Sequence, residues 1–326
     1  MKRMIITISL FALCAAVTLS ACQKTAATQA TESATVINDS KKVTSPRGFK
    51  VLAVESFLAD IAQNVAGERV KIDTLIPLGV DPHAFEPTPQ DVARIAESRL
   101  LISNGAGFEQ WLGEVLANAG GERLVIEAAT GLTSRNLEGD ASAGVEGRQQ
   151  EGDPHFWLDP NLTIKYVENI RDGLSQVDPE GKDVYALNAE AYIAQLKELD
   201  GWIQEQVKQV LPERRLLITN HESLGYFADR YGFKIAGVII PSVSSIASPS
   251  VQQLASLVEQ IRASKAPAIF LEAGANPQLA EQIASETGVK VITSLFSHSL
   301  TPSDGAAPTY VEMMKYNVRA IVEALK

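Results

Sequence analysis

The sequence predicts an α/β fold: two (β/α) lobes with parallel sheets, joined by one long, rigid helix. Two observations predict it. Short β-rich runs alternate with amphipathic stretches along most of the chain, the pattern of parallel strands whose crossovers are helices. The alternation breaks once, near the middle, where a helical pattern runs on from Pro179 to about Leu211.

In the first half, strands are expected at Lys50–Val54, Val70–Pro77, Leu100–Asn104 and Leu124–Ala128, with helices at Phe57–Val65, Pro89–Glu97 and Gln110–Ala119. Gly120 and Gly121 supply a C-cap for the last of these. In the second half, strands are expected at Leu216–Thr219, Ile235–Ile240, Ala268–Leu271 and Val289–Thr293, and helices at Leu224–Tyr231, Ser250–Ser264, Pro277–Thr287 and Tyr310–Leu325. Between the halves, Asp178 offers an N-cap with Pro179 at the first helical position, and apolar residues recur at Leu196, Leu199, Ile203, Val207 and Val210. At 1.5 Å per residue this helix would be roughly 50 Å long, a stiff spine that allows less hinge motion than crossing strands would. Thr133–Asp153 holds four glycines and almost no large apolar side chain, so it reads as a long exposed loop.

The N-terminus reads as a processing segment. Lys2 and Arg3 precede the apolar run Ile5–Leu19, which is too short to span a bilayer comfortably. The run ends in Leu19-Ser20-Ala21-Cys22, which resembles a bacterial lipobox, with cleavage before Cys22 and acylation of its thiol. Residues 1–21 are then a lipoprotein signal peptide, and 22–47, rich in Thr, Ala, Ser and Lys, a flexible tether. Residues 48–177 form the N-terminal lobe, 178–211 the linking helix and 212–326 the C-terminal lobe. About 280 residues remain, enough for two cores. Cleavage removes Cys14 and acylation uses Cys22, so no thiol is left for a disulfide or a metal. The formal charge of −10 deepens by two when Lys2 and Arg3 leave. That excludes nucleic acid as a partner and suits a cationic ligand.

The chain has four histidines, each in a turn or beside an expected strand end. His83 follows the strand ending at Pro77, His221 directly follows Leu216–Thr219, and His298 closely follows Val289–Thr293. His155 lies in Asp153-Pro154-His155-Phe156-Trp157, a turn entering a helix that begins near Asn161. Ligands of open parallel sheets bind beyond the carboxyl ends of the strands. With two histidines in each half, a cleft between lobes could bring all four to one point. Four neutral imidazoles suit zinc, at Zn–N distances of about 2.0–2.1 Å, whereas magnesium and calcium call for oxygen.

The segments GVDPHAFEPTPQDVARIAES, DPHFWLDPNL, TNHESLGYFADRYGF and LFSHSLTPSDGAAPTYVEMMKYN resemble the ligand-bearing segments of the zinc and manganese solute-binding lipoproteins of ABC importers. The resemblance runs from about Lys50 to the C-terminus. It implies two (β/α) lobes joined by a long helix, a metal buried between them, and an ABC-type permease as partner. The expected protein is monomeric, extracytoplasmic and lipid-anchored, and not an enzyme. By position, His83 and His155 match the family's two N-lobe ligands, His221 the third, which is His or Glu, and His298 the fourth.

The fourth ligand is usually aspartate in that family. His298 removes a negative charge and a hard donor there, which disfavours manganese and tilts the site toward zinc. Copper and nickel also bind imidazole tightly and stay open. Thr133–Asp153 lacks the histidine-rich stretch of many zinc-specific relatives, which speaks against loop-assisted zinc collection. Glu222, Asp159 and Asp304 each carry two readings, an acid that orients a ligand imidazole or one that is solvated or caps a helix. Trp157, Phe85 and Tyr226 are either cleft lining or core.

The alternatives are a manganese- or iron-binding importer subunit, a zinc hydrolase, and a surface lipoprotein that needs no metal. Catalytic zinc usually keeps an open position, which four histidines would close. Gly225, four residues beyond His221, rules out the metalloprotease helix motif, and no nucleophile elbow, phosphate loop or dinucleotide fingerprint is present.

Overall fold

The structure, a computed structural model, describes residues 49–135 and 152–326. The signal peptide, the tether, Cys22 and most of the glycine-rich loop lie outside the described residues.

The chain begins with β1 (Val51–Ala53), α1 (Ser56–Ala66), β2 (Ile72–Thr74), α2 (Pro89–Glu97), β3 (Leu100–Ser103), α3 (Leu112–Ala119) and β4 (Leu124–Glu127). Two helices follow, α4 (Pro160–Val177) and α5 (Lys182–Val207). The second alternation comprises β5 (Leu216–His221), α6 (Gly225–Tyr231), β6 (Lys234–Ile240), α7 (Val251–Ser264), β7 (Ala268–Glu272), α8 (Gln278–Thr287), β8 (Lys290–Leu295) and α9 (Tyr310–Leu325). Caps mark several starts. Thr88 and Asp91 form a capping box with Pro89 at the first position of α2, Ser250 and Gln253 do the same for α7, and Asp159 accepts from the Asn161 amide ahead of α4.

The strands form two four-stranded parallel sheets, ordered β2-β1-β3-β4 and β6-β5-β7-β8. The two orders are the same, so each sheet has a topological switch point, between β1 and β3 in the first and between β5 and β7 in the second. Switch points are where crossovers diverge to opposite faces and leave a crevice at the carboxyl ends of the strands. The register of β7 against β8 shifts between Phe270 and Glu272. Such an irregularity re-aims the side chain that follows it, here Glu272, at the strand's end.

The expected helix from Pro179 to Leu211 is shorter at both ends. Pro179–Gly181 is a 3-10 turn, and α5 starts at Lys182 and ends at Val207. Asp178 does not cap it, because its carboxylate accepts from Arg69 (Nη2, 2.9 Å) and from the Tyr185 hydroxyl (2.6 Å). A carboxylate held by a guanidinium 109 residues away cannot also face the helix amides. The 26 residues of α5 rise about 39 Å. They bury Tyr185, Tyr192, Leu196, Leu199, Ile203 and Val207 on one side, against α1, α4 and α9. The last helix, α9, packs on β8 and β7 as well as on α1, tying the end of the chain to the first lobe.

Leu196 is 0% exposed in this seam. Leu196→Ala is expected to cost about 2–5 kcal/mol, from lost transfer energy plus a residual cavity. In urea the unfolding midpoint of the metal-free protein should fall while the slope stays constant; an unchanged midpoint would remove Leu196 from the stabilising seam.

Candidate metal centre

Each of the four histidines is placed by its own local device. His83 sits in a 3-10 turn, Pro82–Ala84, beyond β2, where the Asp81 side chain accepts from the His83 amide at 2.9 Å. His155 precedes the 3-10 turn Phe156–Leu158. Its amide and its ring Nδ1 both meet Asp153 Oδ1, at 3.0 and 2.9 Å. His221 is the last residue of β5 itself, two residues beyond the expected strand end. His298 lies in the segment between β8 and α9.

These four segments meet. One ring nitrogen from each histidine lies within 4.8 Å of the others. All six ring-centroid separations fall between 5.1 and 5.7 Å. Near-equal separations among four points describe a tetrahedron. His155 and His221 are fully buried and their Nε2 atoms are 3.3 Å apart. That equals the edge of a tetrahedron with metal–nitrogen bonds of about 2.0–2.1 Å, which is about 3.3–3.4 Å. The Nε2 atoms of His83 and His298 are buried without a hydrogen-bond partner among the described residues. Buried polar atoms left unpaired are costly, and a cation at the centre would satisfy both.

The orienting acids are Asp153 and Glu272. Glu272, at the end of β7, places Oε1 3.0 Å from His221 Nδ1 and Oε2 3.5 Å from His298 Nδ1, and it accepts from Ser223 Oγ at 3.1 Å. One carboxylate at the β5/β7 switch point thus faces two imidazoles. With Nδ1 turned to a carboxylate, each ring presents Nε2 to the centre. Asp153 does this for His155 and is held in turn by Arg135, 3.7 Å from Oδ2. Sequence reasoning passed over both acids. Asp153 carried a local signal, two residues before His155; Glu272 carried none, because its neighbours depend on strand order. Glu222 does not touch an imidazole nitrogen: its Oε2 is buried without a hydrogen-bond partner among the described residues. Asp159 is the cap of α4, and Asp304 is exposed.

The walls are apolar. The Phe108 ring lies 4.7 Å from that of His83 and 5.7 Å from those of His155 and His298. Trp157 stacks on Phe57 and donates its indole N–H to Ser297 O at 2.7 Å, joining the two lobes. It is core that also backs the site. Phe85 packs on Trp111, and Tyr226 donates to Asp153 O at 2.7 Å.

Burial, reinforced by the neighbouring imidazoles, holds His83 and His155 below the ordinary imidazole range. Burial does the same to His298, against the pull of Glu272. These rings are neutral, the form that donates to a metal. His221 goes the other way: burial opposes its charge, but Glu272, with Asp81 and Asp153, outweighs it and raises the pKa. Burial pushes Glu272 up, yet His221 and His298 beside it prevail and hold it low. Burial raises Asp153 to about 7 against the His155 amide and Arg135.

Glu272→Gln is expected to weaken metal binding ten- to a hundredfold, the usual loss when a partner that orients ligand imidazoles is removed. Metal affinity measured against a chelator tests this, and unchanged affinity would leave Glu272 without an orienting role.

Parallel-sheet lobes that converge four imidazoles between their strand ends have the form of a solute-binding protein for a metal ion. The family model described as "Zinc-uptake complex component A periplasmic" (ZnuA) matches residues 51–324, and the chain belongs to this family. The manganese-binding lipoprotein MntA of Halalkalibacterium halodurans is 32% identical over 278 residues, covering 85% of this chain and 89% of that protein. The manganese ABC transporter substrate-binding lipoprotein PsaA of Streptococcus pneumoniae is 29% identical over 291 residues, covering 87% and 92%. Among solved structures, the periplasmic zinc binding protein TroA of Treponema pallidum aligns with a TM-score of 0.74 at 29% identity, over 85% of this chain and 99% of that one. A Mn-bound periplasmic metal binding protein from Candidatus Liberibacter asiaticus aligns with a TM-score of 0.75 at 28% identity, over 86% and 100%. The chain is therefore a metal-binding substrate-binding component of an ABC importer, a class that works with a membrane permease and is not enzymatic. Among the described residues no helix is long and apolar enough to cross a membrane.

Proposed function

We propose that this chain captures zinc with His83, His155, His221 and His298 and hands it to the permease as a monomer, tethered to the outer face of the membrane through lipid on Cys22. The observation that carries the reading is the His155–His221 contact. Both Nδ1 atoms face carboxylates, and the two Nε2 atoms stand 3.3 Å apart. Without a cation, that separation is comfortable only when one Nε2 holds a proton, and the raised His221 is the ring that would carry it. Zinc replaces this proton. Four ligating nitrogens and no ligating oxygen favour zinc over manganese.

Relatives named for manganese support a second reading, in which Glu272 turns in and supplies oxygen. Competitive titration of zinc against manganese at neutral pH separates the two. One zinc per chain, strongly preferred, supports the four-nitrogen site; tight manganese binding would overturn it.

The pH dependence follows from the same proton. Since His221 is raised and the other three rings are lowered, only His221 competes with zinc near neutrality. Zinc affinity should be flat above its pKa and fall about tenfold per pH unit as pH drops through it, because the ligand must be deprotonated to bind. Chelator-competition titrations from pH 8 to 5 read this slope directly. A slope near four decades per unit would mean that all four rings are protonated in the metal-free protein.

A further inference from the structure

A cavity of about 490 Å³ lies against the histidine cluster on one side. Its floor is Glu272 and His298, whose side chains retain 13% and 7% exposure. His155, His221 and Trp157, which do not line it, are 0% exposed and Phe108 is 1%, so the centre is closed around them. The cavity's mouth is lined by Asn276 and by Gln278 and Gln282 of α8, all exposed.

The chemistry of the wall is one-sided. Asp81 and Glu272 carry its formal charges, and no described lining residue is Lys or Arg. Between apolar stretches that include Ile239, Leu279 and Phe296, the amides and hydroxyls of the wall offer oxygen to a partly hydrated dication. Walls of one charge sign concentrate counter-ions and raise association rates by about 10–10³. The two lobes are joined at this cavity's rim. The Gly79 amide donates to Ser299 Oγ at 2.8 Å, and Ser245 Oγ donates to Asp81. At φ +91° Gly274 turns the chain after β7. The cavity therefore reaches the cluster with these two bonds between the lobes made.

We propose that this cavity is the path by which the metal ion enters and leaves the site, with the lobes still joined. The proposal rests on the four-histidine reading, and it says that neither separation of the lobes nor passage beside His83, which does not line the cavity, is required.

A path, unlike a ligand, changes rates without changing equilibrium. An obstruction in it raises the barrier for entry and exit equally, so affinity is untouched. Gln278 and Gln282 lie one turn apart on α8 and, among the described residues, hydrogen-bond none of the four histidines, which makes Gln278→Trp with Gln282→Trp the natural plug. Stopped-flow zinc association and chelator-chased zinc dissociation would be measured on the whole protein. The expected result is a fall of about tenfold or more in both rate constants, with Kd unchanged. Gln282→Lys should slow association and Gln282→Glu speed it at low salt, with both effects fading at high salt as charges are screened. Wild-type rates in the double tryptophan variant at wild-type Kd would overturn the path and leave the site intact. A wild-type chain that binds no zinc would overturn the four-histidine reading itself, so the two failures are distinguishable.

Discussion

Replacing His155 with alanine should weaken zinc binding by a hundred- to a thousandfold. Tetrahedral zinc sites in small proteins release about 10–16 kcal/mol on binding, so one ligand in four accounts for about 2.5–4 kcal/mol. His155 should lie at the upper end of this range. It is fully buried, and the space it would leave is walled by Phe108 and Trp157, so a replacement water would find Asp153 as its main polar partner. Asp153 in turn would lose the ring it orients. Chelator competition gives the affinity, and urea unfolding of the metal-free variant shows whether the fold survives. Affinity close to wild type in a folded His155→Ala protein would take His155 out of the shell.

Much of this architecture was legible in the sequence because it is written locally. Thr88-Pro89 marks the start of α2, and the three- and four-residue spacing of Tyr310, Met313, Met314, Asn317 and Val318 marks α9; both helices run over the residues expected. The histidines stood out because each lies in a turn or at a strand end, and ligands of parallel sheets bind beyond the strands' carboxyl ends. What escaped was non-local. Asp178 reads as a helix cap until Arg69 arrives from 109 residues away. Glu272 reads as one more acid after an apolar strand, and it becomes the partner of His221 and His298 only because β7 lies beside β5. Glu222 was singled out because it adjoins His221 in sequence. Adjacent residues at a strand end point to opposite sides, so it is the worse placed of the two acids.

His298→Asp should narrow the preference for zinc over manganese by about tenfold or more, on the order of 1.4 kcal/mol of selectivity per decade. His298 is the replaceable member of the cluster: it lies in the loop beyond β8, retains 7% exposure, and its Nδ1 stands at the longer of the two distances from Glu272, 3.5 Å. An aspartate there adds a hard oxygen and a negative charge, which favours manganese and does little for zinc. It would also set a second carboxylate beside Glu272, so without metal the two acids repel and the variant should unfold at lower temperature than wild type. Bound manganese relieves that repulsion, and the melting temperature should rise more on adding manganese than it does in wild type. Paired zinc and manganese titrations measure the selectivity, and thermal melts with and without manganese measure the repulsion. If the ratio of affinities stays at its wild-type value, His298 does not set the choice of metal, and discrimination must lie with His155, His221 and the two carboxylates behind them.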